Sequence, residues 1–577
     1  MVSTETARGA AAPPAYPWLR SYPKDVDWTM AAEPRPLFSL IETAAAEHPE
    51  RPCTNFLGHS LTYREIADLV DRAAAGLQAL GVVKGTKVGL FLPNSPTFIV
   101  YYFAVLKAGG VVVNYNPLYS LDELTFQVKD SETELMVTLD LKVLFEKVDR
   151  LLTDKVLKGA VVCSFPALLP ATKAVLFKLF KSKELARPKT SPARDIIRLE
   201  AEVLTDPETF TPVPIDPETD IAVLQYTGGT TGTPKGAMLT HANVYLNVEQ
   251  IVTWAPRLVP GEEKVLAVLP FFHVFAMTVV LNLGVRIAAE QILMPRFTLA
   301  DALDLITKHR PTLMPGVPTL FNAILNHPNI KSYDLTSLKF CISGGAALPL
   351  EIKERFEAVT ACALVEGYGL SEASPVVTCN PLDGPVKSGS IGLPLPATIV
   401  SLRDLTDPTR EVPQGERGEV CVAGPQVMKG YWNRPQETLD QFVGEFVRTG
   451  DVGVMDEDGF FFIVDRIKDL IICSGYNVYP RRVEEALYEH ATVEEVIVIG
   501  ISDKYRGEAP KAFVKLKEGE ETSKAVLMKH LEAKLSKIEM PADIEFRDKL
   551  PRTMIGKLSK KELKAEEIEK SKKKPSS

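Results

Sequence analysis

This 577-residue chain lacks most of the features that would mark a secreted, metal-stapled or nucleic-acid-binding protein. Its seven cysteines, at 53, 163, 341, 362, 379, 421 and 473, are odd in number and form no CxxC pair. That excludes a disulfide framework and a zinc site, and makes reduced thiols in a cytosolic protein the expectation. Excess positive charge is also missing. Lys and Arg total 66 against 74 Asp and Glu, a net of −8, so the chain has no global attraction for polyanions and nucleic acid is not an expected partner. The Ala/Pro-rich stretch Ala10 to Pro17 has no basic region leading into an apolar core, so no secretory signal is expected.

Long hydrophobic runs are nearly absent as well. The exception is Val265 to Val285, 21 residues without a charged side chain. Pro270 breaks it early and His273 and Asn282 sit inside it, which fits a buried strand, a turn and a core helix better than a membrane span. A shorter segment, Ala171 to Lys183, places Val175, Leu176, Leu179 and Phe180 on one helical face, with Lys178 and Lys181 opposite and Lys173 at the edge. It reads as a surface helix packing on the body, with binding at a membrane interface as the alternative.

What the chain does have is a 45% hydrophobic, 24% charged composition, enough for several domains. It also has a dense run, Tyr226-Thr227-Gly228-Gly229-Thr230-Thr231-Gly232-Thr233-Pro234-Lys235-Gly236. Glycines allow consecutive N–H groups to converge on one anion, threonine hydroxyls donate, and the lysine brings a mobile charge. A Walker A loop needs Gly-Lys-Ser/Thr running into a helix. Here Pro234 precedes Lys235, and the apolar runs Ile221 to Tyr226 and Gly236 to Thr240 predict a loop between two strands.

Residues 61–140 alternate helical and strand patterns: Arg64 to Leu80 helical, Lys87 to Leu92 extended, Pro96 to Ala108 helical, Gly109 to Val113 extended. This predicts parallel α/β layers. From about 386 to 465 the strands Ile399 to Leu402, Gly418 to Val422 and Phe460 to Val464 have no long helices between them, which predicts a small antiparallel sheet or barrel. Beyond Asp465 a helix at Arg481 to His490, strands at Val493 to Ile499 and Ala512 to Leu516, a helix at Lys524 to Lys537 and a strand at Ile544 to Arg547 predict a small α+β domain. The Lys/Glu-rich tail predicts a short solvated helix.

Further segments carry residue types that ATP chemistry needs. Ser343-Gly344-Gly345-Ala346 follows a predicted strand, and Glu366-Gly367-Tyr368-Gly369-Leu370-Ser371-Glu372 offers an aromatic face, a hydroxyl and a carboxylate. Arg448-Thr449-Gly450-Asp451 ends in a carboxylate suited to ribose hydroxyls. Asp465-Arg466-Ile467-Lys468-Asp469, Cys473-Ser474-Gly475-Tyr476 and Pro551 to Lys557 complete the set.

In this order the motifs resemble those of the acyl-adenylate-forming (AMP-binding) superfamily. The Gly228-Gly229 spelling, Leu269-Pro270-Phe271-Phe272-His273-Val274-Phe275-Ala276 and Val427-Met428-Lys429-Gly430-Tyr431-Trp432-Asn433 are most similar to bacterial long-chain fatty-acyl-CoA synthetases. The resemblance implies an N-terminal adenylation domain over 1–466 and a mobile C-terminal domain over 467–577. It implies ATP-dependent activation of a medium-to-long-chain fatty acid through an acyl-adenylate, with Mg²⁺ as cofactor and coenzyme A as co-substrate.

Residue by residue, it assigns Thr227, Gly228, Gly229, Thr230, Thr231, Gly232 and Lys235 to the β/γ-phosphates. Gly345, Ala346 and Tyr368 flank adenine, with Glu366, Gly367, Gly369 and Ile463 also on the nucleotide side. Ser371 meets phosphate, Glu372 and Thr227 hold the metal, and Asp451 holds the ribose beside Arg466. Lys557 neutralises charge in adenylation, Lys468 is the hinge, and Gly475 and Tyr476 border the CoA tunnel. His273, Val274, Phe275, Met277, Val317, Gly344, Gly369 and Val376 form the acyl pocket, His273 lining it rather than transferring a proton. Gly369 stands where short-chain relatives carry a tryptophan plug, and no carboxylate between Glu263 and Glu290 is available to pair with an amino-acid ammonium.

The rival implications are a fatty-acyl-AMP ligase serving a carrier protein, an aryl-CoA ligase, a luciferase-like oxygenase and a non-catalytic fatty-acid carrier. Peripheral contact with the inner face of the membrane and a homodimer are compatible with the resemblance, which does not specify chain length.

Overall fold

Glu65 and Thr62 show how locally the chain begins its helices. The Thr62 hydroxyl accepts from the Glu65 N–H while the Glu65 carboxylate receives the Thr62 N–H at 2.8 Å, a reciprocal cap that starts the helix Tyr63–Ala79. The next helix, Pro96–Lys107, is capped by Ser95 and buried along its whole length as far as Leu106. A helix that is apolar all round belongs inside a core.

The computed structural model describes residues 16–30, 32–227, 233–474, 476–503, 505–553 and 556–573. Two large sheets dominate. One has seven strands in the order Ile197–Leu199, Gly159–Cys163, Leu135–Leu139, Lys87–Phe91, Val111–Asn114, Ile221–Thr227, Lys235–Thr240, parallel except for the final antiparallel pair. The other has nine, in the order Leu393–Pro394, Val376–Cys379, Ala363–Gly369, Phe340–Ser343, Leu313–Gly316, Lys264–Ala267, Glu290–Leu293, Pro52–Phe56, His59–Thr62. Its central strands are parallel and its edges antiparallel. A small antiparallel sheet follows, built on Ile399–Arg403, Gly418–Ala423 and the long strand Phe446–Met455, with Phe461–Arg466 alongside. A fourth sheet contains Ile471–Cys473, Val493–Asp503, Gly507–Leu516 and Asp543–Phe546. The large α/β body with a smaller α+β unit is thus as the sequence patterns predict.

The core divides in the same way. One continuous apolar cluster runs from Trp18 to Phe461, and separate clusters fill the region from Ile471 to Leu563. The apolar run Val265 to Val285 lies inside the first. It becomes the strand Lys264–Ala267 and a buried helical stretch from Val274 to Arg286, with a wide turn at Met277–Asn282. Two of its polar side chains donate there, Thr278 to the Ser374 carbonyl at 2.5 Å and Asn282 to the Tyr102 oxygen at 3.0 Å. Among the described residues no helix is long and apolar enough to cross a membrane.

Two expectations are corrected. The C-terminal helix Lys561–Lys573 is not merely solvated: Leu563 is buried against Phe513 and Leu550, and Lys564 pairs with Asp469 at 2.6 Å. The helix Ala171–Phe180 forms, but the face bearing Val175, Leu176, Leu179 and Phe180 does not pack on the body. Ala174 and Phe177 turn inward instead and pack against the main core, Phe177 against the ring of Phe165.

Candidate active site

Alternation along neighbouring parallel strands builds the floor of the site. Leu313 and Pro315 on one strand, and Phe340 and Ile342 followed by Gly344 on the next, point to one side of the nine-stranded sheet and line a cavity of about 380 Å³. The walls come from two buried helical segments: Ile251 and Trp254 from the end of one, with Ala255 and Leu258 from the loop that follows it, and Val274, Phe275, Val279 and Leu283 from the other. Leu382, Leu395, Cys379 and Val376 close a further side. The cavity therefore runs back along the strands from their carboxyl ends, and beyond Gly344 its lining is apolar.

Polar groups gather at the carboxyl ends. Thr227 and Lys235 face each other as the last pair of an antiparallel ladder, and both line the cavity with Ser371 and Glu372. The intervening Gly228, Gly229, Thr230, Thr231 and Gly232 lie outside the described residues. Tyr431 donates its O–H to Glu372 at 2.6 Å while the Lys235 ammonium sits 4.8 Å from the centre of the Tyr431 ring. One tyrosine thereby positions both a carboxylate and a cation. Tyr368 lines the cavity with its ring and donates to Asp451 at 2.6 Å, and Arg466 donates to the other oxygen of Asp451 at 2.8 Å. The paired Asp451 is in turn nearly inaccessible, its side chain 6% exposed.

Lys557 reaches this polar end from the C-terminal unit. The chain beside it is anchored to the main body by Thr319, whose hydroxyl donates to the Gly556 carbonyl at 3.0 Å. Burial, reinforced by the like charge of Arg466, pulls the Lys557 ammonium down to about 8. Gly345 makes the approach possible. Its φ is +80°, and a Cβ there would lie 2.3 Å from Lys557 Cε, so a side chain would displace the lysine. His273 also lines the cavity. Burial and the neighbouring Lys557 hold its imidazole down at about 3, so it is neutral at physiological pH. Its Nδ1 accepts the Phe275 N–H at 3.3 Å, which leaves the ring proton on Nε2. The neutral ring can thus offer a hydrogen bond, consistent with a lining role.

The structure brings together Thr227, Lys235, His273, Val274, Phe275, Gly344, Gly345, Gly367, Tyr368, Gly369, Ser371, Glu372, Val376, Arg466, Lys468 and Lys557 around one space. Others lie apart. Met277 is wholly buried and its sulfur receives the Asn114 amide at 3.3 Å, away from the cavity. Val317 caps the helix Pro318–Leu325 and faces the Gly556 turn. Strand alternation turns Glu366 to the other face from Gly367, toward a small recess with Leu348 and Asn380, where burial pushes its carboxyl up to about 7. Ala346 is exposed in the turn after Gly345, Ile463 pairs with Gly453 outside the lining, Tyr476 is exposed on an edge strand, and Gly475 lies outside the described residues.

Gly369 lines the cavity, but its glycine is required for another reason as well. A Cβ there would come 2.0 Å from the Pro375 carbonyl where the two antiparallel strands bulge together. An indole at that position would therefore force the backbone apart. Among the described residues no three His, Cys, Asp or Glu side chains converge into a metal cage. Glu372 and Thr227 supply one carboxylate and one hydroxyl, a set that fits a hard divalent ion keeping water and substrate phosphate as its other ligands.

Sequence reading gave no role to Tyr431 or Trp254, nor to Leu313, Phe340 and Ile342. The strand residues carry a period-two signal that becomes meaningful only when the neighbouring strands are aligned.

The chain is similar to known proteins in both sequence and fold. A family model described as AMP-binding enzyme matches residues 41–432, and one for the AMP-binding enzyme C-terminal domain matches 482–557. A long-chain-fatty-acid–CoA ligase of Bacillus subtilis is 44% identical, the alignment covering 96% of this chain and 98% of that protein. A feruloyl-CoA synthase of Amycolatopsis is 34% identical, over 88% of this chain and 94% of its own. Among solved structures, ATP-bound MatB from Rhodopseudomonas palustris superposes with a TM-score of 0.79 at 29% identity, covering 92% of this chain and 99% of that one.

Proposed function

The chain belongs to the AMP-binding enzyme family, and from that membership we propose that it is an AMP-forming ligase that activates a medium-to-long-chain fatty acid with ATP and transfers the acyl group to coenzyme A. The carboxylate attacks the α-phosphorus of ATP, the bond to the β-phosphate oxygen breaks and pyrophosphate leaves. The thiolate of CoA then attacks the acyl carbonyl, the acyl–phosphate bond breaks and AMP departs; the thiol proton passes to solvent. A thiol with a pKa of about 8.5 supplies enough thiolate at neutral pH without a dedicated base.

The observation that carries this reading is one cavity with two characters: Lys557, Lys235, Ser371 and Glu372 at its polar end, and the sheet residues Ile342, Phe340 and Leu313 at the other. An alkyl chain laid along the apolar part gains about 0.8 kcal/mol per buried methylene. Thr227 and Lys235 border the β/γ-phosphates together with the Gly/Thr loop, and Ser371 donates to phosphate. Tyr368 stacks on adenine beside Gly345, and Asp451, held by Tyr368 and Arg466, would receive the ribose hydroxyls on its remaining lone pairs. Glu372 with Thr227 would hold Mg²⁺, which would offset phosphate charge at that point. Lys557 places its cation where charge develops in the first step.

The separate apolar clusters on either side of residues 467–470 support a hinge at Lys468 between 1–466 and 467–577. Rotation there would withdraw Lys557 and bring Gly475 and Tyr476 to the cavity for the CoA step. The reading extends to a cytoplasmic enzyme that meets its acid at the inner membrane face. Pyrophosphate release measured across acids from acetate to stearate, with and without CoA, tests it. Turnover that is CoA-dependent and strongest on the longer acids is the expected result; preference for acetate, or acyl-adenylate accumulating untouched by CoA, would overturn it.

A further inference from the structure

The helix Ala171–Phe180 has two apolar faces and only one is used. Successive residues advance by about 100°, so Ala174 and Phe177 fall together on the inner side. There Phe177 packs against Phe165 with ring centres 5.1 Å apart. Lys173 ties the same helix down by donating to the Leu57 carbonyl at 2.7 Å. On the far side Val175, Leu176, Leu179 and Phe180 are 56%, 53%, 68% and 80% exposed, an apolar arc of about 140° left largely open to solvent. Scattered exposed apolar residues are ordinary; four contiguous ones on ten residues of helix are not.

The charge around the arc decides what it fits. Lys173 lies at one edge and Lys178 at the other, and the segment from Ala171 to Lys189 carries Lys173, Lys178, Lys181, Lys183, Arg187 and Lys189 against the single carboxylate Glu184. Glu184 pairs with Lys181 at 3.3 Å, leaving the remaining cations in excess. This strongly basic stretch belongs to a chain whose net charge is −8. An apolar stripe edged by lysines is the composition of a helix lying in the plane of an anionic bilayer, its apolar face in the acyl boundary and its ammonium groups among the phosphates.

We propose that the helix Ala171–Phe180, with the basic turn to Lys189, docks this protein onto a membrane surface containing anionic phospholipid. The proposal deepens the reading of a fatty-acid enzyme by naming the surface at which it meets lipid, but its binding test does not depend on that reading.

The test uses the full chain, sedimented with vesicles of phosphatidylcholine alone and of phosphatidylcholine with phosphatidylglycerol in equal parts. Wild type should bind the anionic vesicles, and bind them less as salt rises. The pair Leu179→Glu and Phe180→Glu should weaken binding by about tenfold or more, and the pair Lys178→Gln and Lys183→Gln by several-fold, with a shallower salt dependence. Decanoate activation without vesicles should be unchanged in both variants, which shows that they are folded. Equal binding by wild type and the two variants would overturn the proposal. So would a wild-type dimer, seen by light scattering, that dissociates in the Leu179→Glu and Phe180→Glu variant while no vesicle is bound; a second copy would then cover the face. If vesicle binding follows the pattern but decanoate is not activated, the surface assignment stands and the fatty-acid reading fails.

Discussion

The two ends of the cavity are built on different rules. At the polar end the groups are held by directional contacts at fixed distances: Tyr431 to Glu372, and Tyr368 and Arg466 to Asp451. At the apolar end Ile342, Phe340, Leu313 and Leu258 are set by sheet alternation and helix packing. A hydrogen bond to a charged group is lost all at once when one partner goes, whereas an apolar wall changes in proportion to volume. Substitutions should therefore act stepwise at the polar end and in graded fashion at the other.

The largest break in that contrast should come from Lys557→Ala. Removing a preorganised cation should slow adenylation about 10²- to 10³-fold. Acyl-CoA formation from preformed acyl-adenylate should continue near the wild-type rate, as single-turnover measurements of each half-reaction would reveal. Equal loss of both, with circular dichroism unchanged, would refute the proposed rotation about Lys468.

The same lysine predicts a pH profile. Its ammonium is held down at about 8 by burial and Arg466, so the charged form prevails below that pH and is lost above it. The kcat/KM for ATP should fall on the alkaline side, approaching about tenfold per pH unit. Lys557→Arg should carry the fall to higher pH, and an unmoved profile would assign it to another group.

Tyr431→Phe should lower kcat/KM for ATP by about tenfold, the scale of one hydrogen bond to a carboxylate. The ranking of acids by chain length should stay as it was. A changed ranking would mean that the two ends are coupled.

The smallest effects should come from the apolar wall. Ile342→Phe should shorten the preferred acid, at about fourfold in kcat/KM for each methylene that no longer fits. ATP saturation measured with a short acid should be unaffected. If acids of every length lose activity equally, the substitution has disturbed the sheet rather than the tunnel.

Much of this was legible from residue order. The strand–loop–strand around the Gly/Thr run, the capped helix after Thr62 and the antiparallel sheet after Ile399 depend on neighbours within a few residues. Apolar periodicity, caps and glycines act at that range. The motif-bearing residues Lys235, Ser371, Glu372, Arg466 and Lys557 do converge, although the last lies 322 positions from the first in a 577-residue chain.

What sequence could not decide was the direction in which side chains face once elements are stacked. Met277 and Val317 have the size and chemistry of acyl-pocket residues, yet one meets Asn114 and the other the Gly556 turn. Trp254, Ile342 and Phe340 line the cavity because a helix and a strand distant in the chain happen to share a face. The run Val265 to Val285 and the helix Ala171–Phe180 are both apolar on paper, but the first is enclosed and the second is open on one side. Residue type sets how strongly a side chain avoids water. Only the tertiary structure decides which neighbours are available to cover it, because burial is a sum over contacts between segments far apart in the chain.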